Sequence, residues 1–154
     1  MPEVLIILGS KSDIDVGNKA LETLQRFEVT SEIVVASAHR SPDRLKSMVK
    51  GSDAQVFIAI AGLSAALPGA VAASTVRPVI GVPVSGKVNL DSILSVVQMP
   101  PGVPVGAVGL DRGENAALLA LQILALQDPQ LAEELRIHRS EMAKKVEQDS
   151  QEVQ

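Results

Sequence analysis

The segment Ser37-Ala38-His39-Arg40 places the side chain best suited to proton transfer near neutrality beside one built to grip anions. Imidazole, with an unperturbed pKa of ~6.5, can take and give a proton at physiological pH. The Arg40 guanidinium offers a planar fork for a phosphate or carboxylate. A single histidine in a loop is also an ordinary surface residue, and both readings stand until its position is known. Gly9-Ser10-Lys11-Ser12-Asp13 is the second candidate. It puts two hydroxyls and a carboxylate just ahead of a helical pattern, where free N–H groups and the helix dipole favour an anion. The same five residues could simply make a tight turn and an N-cap. Asp13 suits ribose hydroxyls, although an acidic residue in a first helical turn also stabilises the helix by itself. The third candidate is Gly62-Leu63-Ser64-Ala65-Ala66-Leu67-Pro68-Gly69. Small residues there let the backbone approach a ligand closely, or let a helix pack closely on a sheet. Neither a Walker A loop nor a GxGxxG fingerprint occurs, so ATP and dinucleotides are not indicated. No carboxylate pair, Ser-His-Asp set or metal-ligand spacing is present, and His138, in a charged terminal segment, reads as an ordinary residue. The chemistry left is a phosphorylated small molecule handled by one acid/base histidine.

These loops hang from alternating strand and helix patterns. Val4-Leu5-Ile6-Ile7-Leu8 is short and continuously apolar, as in a strand covered on both faces. Over residues 13–27 apolar positions recur at helical spacing, with Ser12 or Asp13 placed to cap. Ile33-Val34-Val35-Ala36 predicts the second strand, and a helix carrying Leu45, Met48 and Val49 follows with Pro42 in its first turn, where a missing N–H costs nothing. Val56-Phe57-Ile58-Ala59-Ile60 predicts the third strand, followed by a small-residue helix reaching about Thr75. Val79-Ile80-Gly81-Val82 predicts the fourth, with Ser85, Gly86 and Lys87 in the next loop and a helix over 90–97. Residues 105–108 predict the fifth, with a helix over 114–126 behind it. Asp128-Pro129 opens a last charged helix, with Leu131, Leu135 and either Ile137 or Met142 as its apolar contacts, and the final residues read as a frayed tail.

Five strands alternating with helices imply an α/β, three-layer, flavodoxin-like (Rossmann-type) domain: a five-stranded parallel sheet with right-handed crossovers, plus a C-terminal helix. Residues 1–154 read as a single catalytic domain, with the terminal helix and tail from about 128. In the strand order 2-1-3-4-5, the loops after strands one, two and three are neighbours at the carboxyl edge, where such sheets bind ligands. That position turns the reading of His39 toward chemistry.

Composition narrows the partners. Fourteen Lys+Arg against eighteen Asp+Glu give a net charge of −4 with no basic run, which argues against nucleic acid. Phe27 and Phe57 are the only aromatic residues, so base or flavin stacking is hard to arrange and the core must be built from Ala, Val, Leu and Ile. The absence of cysteine removes disulfides, thiolate zinc sites and cysteine nucleophiles together. Uncharged residues 56–73 and 92–110 approach the ~20 residues of a membrane span. Pro68-Gly69 breaks the first, and Pro100, Pro101 and Pro104 break the second. Glu3 stands ahead of the first apolar run where a signal peptide would be basic. The expectation is a soluble cytoplasmic protein with neither membrane nor nucleic-acid partners.

Taken together, these loops resemble those of the bacterial and archaeal N5-carboxyaminoimidazole ribonucleotide mutase family, also called the phosphoribosylaminoimidazole carboxylase catalytic subunit. The resemblance covers about the whole chain. It runs through Gly9-Ser10-Lys11-Ser12-Asp13, Ser37-Ala38-His39-Arg40-Ser41-Pro42-Asp43, Leu67-Pro68-Gly69, Pro78-Val79-Ile80-Gly81-Val82-Pro83, the stretch from Leu90-Asp91-Ser92 to Gln98-Met99-Pro100, and Gly102-Val103-Pro104-Val105. Each segment alone is short, and the ordered set is specific. The resemblance implies a step of de novo purine synthesis that leaves a carboxylate on the imidazole carbon of aminoimidazole ribonucleotide. It also implies the 5′-phosphate on Ser10, Ser12, Ser37 and Arg40, the ribose on Asp13, substrate contacts at Gly9, Gly62 and Ser64, and His39 as general acid/base. No metal or organic cofactor is implied. Family members are homo-oligomers, commonly octamers, with active sites at subunit boundaries.

One departure bears on the carboxyl donor. Many mutases carry Gly-Gly-Ala-Ala-His-Leu-Pro-Gly where this chain has Gly62 to Gly69, so Ala66 stands where their second histidine would be. The Gly-x-Ser opening leans toward the related class that carboxylates aminoimidazole ribonucleotide directly with carbon dioxide, whereas Ser-Ala-His-Arg-Ser-Pro leans toward the mutases. The segment after Val84 is also shorter than in many mutases, which would reshape the pocket rim. Ala66 motivates a competing expectation, a non-catalytic nucleotide-monophosphate-binding protein of the same fold, against which the retained His39 argues. A flavin-binding module ranks last, because aromatic residues are nearly absent.

Overall fold

Apolar runs of five or six residues pair side by side in the computed structural model, which describes residues 1–153. Strands β1 (Val4–Leu8), β3 (Val56–Ala61) and β4 (Val79–Pro83) are buried along their whole length, as central strands covered on both faces must be. β2 (Ser31–Val35) and β5 (Gly106–Ala107) are more exposed and form the two edges. The order is β2-β1-β3-β4-β5 with every pair parallel, as the alternation of elements predicts.

Register decides where the loops begin. Leu8 lies opposite Val35 and Ile60, and Ala61 lies opposite Pro83. The chain therefore leaves four strands at one level. The N–H groups of Gly9, Ala36 and Val84 donate to Ile60 O, Leu8 O and Ala61 O, each at 2.9 Å, carrying the ladder one step past the strand ends.

The helices are α1 (Ile14–Arg26), entered through a 3-10 turn at Lys11–Asp13, α2 (Pro42–Gly51), α3 (Leu67–Ala72), α4 (Asn89–Val97), α5 (Gly113–Leu124) and α6 (Pro129–Glu152). Alternate strand residues Leu5, Ile7, Phe57 and Ala59 join Leu45, Val49, Val71 and Val96 of α2, α3 and α4 in one apolar cluster. α1 packs on the opposite face, where a Cβ on Gly17 would come within 2.9 Å of Leu8 Cδ2.

One sequence expectation is refined and three are corrected. Asp13 is the N-cap of α1, one of the two residues expected there, but makes no side-chain cap bond to that helix. The bonding cap is Ser10, ahead of the 3-10 turn, whose hydroxyl accepts from Ser12 N–H while Asp13 reaches back to Ser10 N–H. α3 ends at Ala72, short of Thr75, where Ser74 Oγ donates to Ala70 O and competes with helical bonding. β5 is two residues long, Gly106–Ala107, where residues 105–108 were expected, with Val108 N–H still donating to Gly81 O at 3.2 Å just past its end. The terminal segment is helical through Glu152, where a frayed tail was expected, since its run of Ala, Glu, Lys, Arg, Gln and Met contains no glycine and has its one proline in the first turn. Gln154, the end of that tail, lies outside the described residues.

The chain forms two compact units, Met1–Ala120 and Leu121–Gln154. The first holds the whole sheet. In the second, Asp128 Oδ1 caps α6 by accepting from Gln130 N–H at 3.0 Å and Leu131 N–H at 3.1 Å. Among the described residues no helix is long and apolar enough to cross a membrane.

Candidate active site

The loops after β1, β2 and β3 meet around one cavity of about 520 Å3 at the carboxyl edge of the sheet. Gly9, Ser10, Ser12, Asp13, Ser37, His39, Arg40, Gly62 and Ser64 all line it, so every site residue singled out in the sequence is brought to one place. Its size suits a small-molecule ligand. A larger groove of about 920 Å3 opens at the opposite, amino edge, lined by residues such as Lys50, Thr75, Arg77 and Pro104. It contains no histidine or carboxylate, so volume alone does not choose the site.

The first loop is held by its own hydrogen bonds. Ser10 N–H donates to Asp13 Oδ2 at 3.1 Å, and Ser12 Oγ donates to Ser10 Oγ at 3.0 Å. Asp13 is buried, only 7% exposed. Burial pushes its carboxyl above the ordinary value, against the Ser10 N–H bond, which draws it down.

The second loop is tied to the first by Arg40. Its backbone N–H and Nε both donate to Ser37 Oγ, at 3.1 and 3.2 Å, while a terminal guanidinium nitrogen donates to Gly9 O at 3.0 Å. Ser41 Oγ donates to Ser37 O and accepts from Ser37 N–H, closing the turn that presents His39. His39 is exposed, which leaves its ring open to an incoming ligand.

The third loop carries strain without glycine. Leu63 and Ala65 have φ of 52° and 26°, a region rarely adopted by residues with a Cβ. Leu63, Ala65, Ala66 and Leu67 line the cavity beside Gly62 and Ser64. Sequence reasoning placed this loop at the site but singled out only its glycine and serine. Nothing in Leu63 or Ala65 announces a left-handed backbone, since that signal normally comes from glycine or asparagine. Among the described residues no group of three or more His, Cys, Asp or Glu is placed to hold a metal ion.

Polar side chains and one imidazole line a cavity at the switch point between β1 and β3 of an open parallel sheet, the place where α/β folds of this class take small-molecule ligands. Comparison with known proteins is specific. The chain belongs to the AIR carboxylase family, whose model matches residues 3–145. It is 56% identical over 144 residues to the N5-carboxyaminoimidazole ribonucleotide mutase of Methanocaldococcus jannaschii, covering 93% of this chain and 92% of that one. With the Pyrococcus abyssi protein of the same name it shares 50% identity over 147 residues, covering 92% and 84%. The crystal structure of Treponema denticola PurE superposes with a TM-score of 0.90 at 30% identity, covering 99% of this chain and 98% of that one.

Proposed function

We propose that this chain converts N5-carboxyaminoimidazole ribonucleotide to 4-carboxyaminoimidazole ribonucleotide in purine biosynthesis, with His39 as general acid/base. The observation that carries this reading is the convergence of anion donors, a buried carboxylate and one exposed imidazole on a single cavity of nucleotide size, in a family whose relatives bear the mutase name.

Ser10, Ser12, Ser37 and Arg40 hold the phosphate, Asp13 the ribose hydroxyls, and Gly9, Gly62 and Ser64 border the rest of the nucleotide. The N–carboxyl bond breaks as carbon dioxide leaves, and His39 gives a proton to the nitrogen. The ring carbon captures carbon dioxide, forming the new C–C bond and a tetrahedral carbon. His39 then takes the proton from that carbon, which restores the aromatic ring and the catalyst together. A cavity that keeps carbon dioxide beside the ring makes recapture faster than escape through proximity. The chain needs no cofactor for these steps. It acts as one catalytic domain, in the cytoplasm, as a homo-oligomer of eight chains.

A second reading is favoured by Ala66, which lines the cavity where many mutases carry histidine: direct carboxylation of aminoimidazole ribonucleotide, a lyase-type reaction. Assaying purified protein with each substrate separately, at varied carbon dioxide, decides between them. Conversion of the N-carboxylated nucleotide, insensitive to added carbon dioxide, upholds the mutase. Turnover of aminoimidazole ribonucleotide alone, rising with carbon dioxide, would replace it with the carboxylase, and silence with both would favour a non-catalytic nucleotide-binding protein.

A further inference from the structure

The loop between β4 and α4 borders the far side of the third loop, and a residue 26 positions away holds it. A second cavity, of about 400 Å3, is lined by Leu63, Ser64, Lys87, Val88 and Asp91 among others. It shares Leu63 and Ser64 with the candidate active site, so the two meet at the strained third loop. Lys87 is the cation on this side.

Asp111, in the turn between β5 and α5, makes two bonds to the chain leaving β4. Its N–H donates to Pro83 O at 2.9 Å, and its Oδ1 accepts from Ser85 N–H at 2.8 Å. Its backbone sits at φ 59°, a left-handed conformation for a residue with a Cβ. Lys19 Nζ from α1 reaches Asp111 O at 3.5 Å. Burial raises the Asp111 carboxyl, but the Ser85 side-chain and backbone hydrogen bonds, with the charges of Lys19 and Arg112, outweigh it and hold the group below its ordinary value. At neutral pH the acceptor is therefore ionised, and a charge-assisted bond is stronger than a neutral one. Farther along the loop, Gly86 N–H donates to Asn89 Oδ1 at 2.9 Å, so the turn is pinned at both ends.

We propose that Asp111 is a positioning residue for the active site: its carboxylate fixes Ser85, and with it the loop that carries Lys87 to the rim. The inference rests on the activity proposed above. The anion donors Ser10, Ser12, Ser37 and Arg40 stand at the β1 and β2 end of the site. From β2 to β4 are three strand spacings, about 14 Å at ~4.8 Å each, the span of an extended ribonucleotide. A nucleotide whose phosphate lies at the β1–β2 end thus brings its base end toward β4, where Lys87 stands.

Two variants separate the carboxylate from the backbone. Asp111→Gly keeps the left-handed turn without steric cost and removes only the carboxylate, whereas Asp111→Asn keeps an oxygen acceptor. Asp111→Gly should raise KM for N5-carboxyaminoimidazole ribonucleotide about tenfold, with a smaller effect on kcat, as expected for loss of a charge-assisted hydrogen bond. It should speed hydrogen exchange at the Ser85 amide and leave the Kd for ribose 5-phosphate unchanged, and Asp111→Asn should return KM and Ser85 exchange toward wild type. An unchanged KM with unchanged Ser85 exchange would overturn the proposal, as would an equal loss of ribose 5-phosphate affinity. If the wild-type protein turns over neither substrate, the activity reading fails, and calorimetry still decides the role of Asp111. Weaker aminoimidazole ribonucleotide binding beside unchanged ribose 5-phosphate binding upholds it, and equal affinities in variant and wild type sink it.

Discussion

Arg40 leans on Gly9 O and Ser37 Oγ, so the guanidinium that would meet a phosphate is already held at the end of β1. His39, its neighbour, is exposed in the same cavity. His39→Asn keeps size and hydrogen bonding but cannot move the proton, so turnover should fall by roughly 10²- to 10⁴-fold, the worth of a positioned acid/base group. Binding of ribose 5-phosphate by calorimetry should stay near wild type, and near-normal turnover would remove His39 from the chemistry. Asp13 makes a pH prediction. Its carboxyl lies above 3.8 in the folded protein, so the folded state holds that proton more tightly than the unfolded chain. The associated stability is complete below 3.8 and is lost as pH rises through the folded value. In urea unfolding, wild type should therefore lose stability relative to Asp13→Asn as pH rises from the acid range to neutrality. A difference that stays flat across that range would show that burial does not penalise the ionised group. The site's residue types were legible in the sequence because each stands directly between a strand pattern and a helix pattern. The bonds that organise them were not. Asp111-Arg112-Gly113 reads as an ordinary turn, and its hold on Ser85 exists only once β4 and β5 are side by side.

Gly81 shows how closely the elements approach. A Cβ there would lie 2.5 Å from Val96 Cγ1 of α4 and 3.1 Å from Pro68 Cβ of α3, in a fully buried strand. Gly81→Ala should destabilise by about 1–3 kcal/mol, the cost of overpacking a filled core. Adding Val96→Ala removes the nearest clash, so the double variant should lose less stability than the two single losses combined, a coupling that denaturant unfolding of all four proteins measures. Simple additivity would mean that α4 moves away freely. Gly113→Ala admits no such rescue, since its Cβ would fall on the backbone carbonyl of Val16. Strand positions and order were legible because buried parallel strands read as continuous apolar runs. Lengths were less so: α3 ends where Ser74 Oγ donates to Ala70 O, a single-atom contact that a periodic pattern averages over.

α6 is a different kind of element from those around the sheet. Over its 24 residues only Leu131 is buried, while Ile137, Met142 and Val146 are 51%, 51% and 68% exposed. Scattered exposed apolar residues are normal on a soluble surface. Leu131, Leu135, Met142 and Val146, however, are spaced by four, seven and four residues, which puts them along one side of the helix. Its extent escaped the sequence reading for the same reason: a charged segment without a dense apolar pattern resembles a tail, although helix-forming side chains sustain it. The proposed octamer gives that side a partner, a second copy of the chain. Met142→Glu with Val146→Glu places two charges in it while preserving helix propensity. By light scattering the wild type should carry the mass of eight chains, and the double variant should fall to a smaller assembly with unchanged helical circular dichroism. A wild-type monomer would remove the octamer from the proposal. A variant that stays octameric would move the subunit contacts off this side of α6.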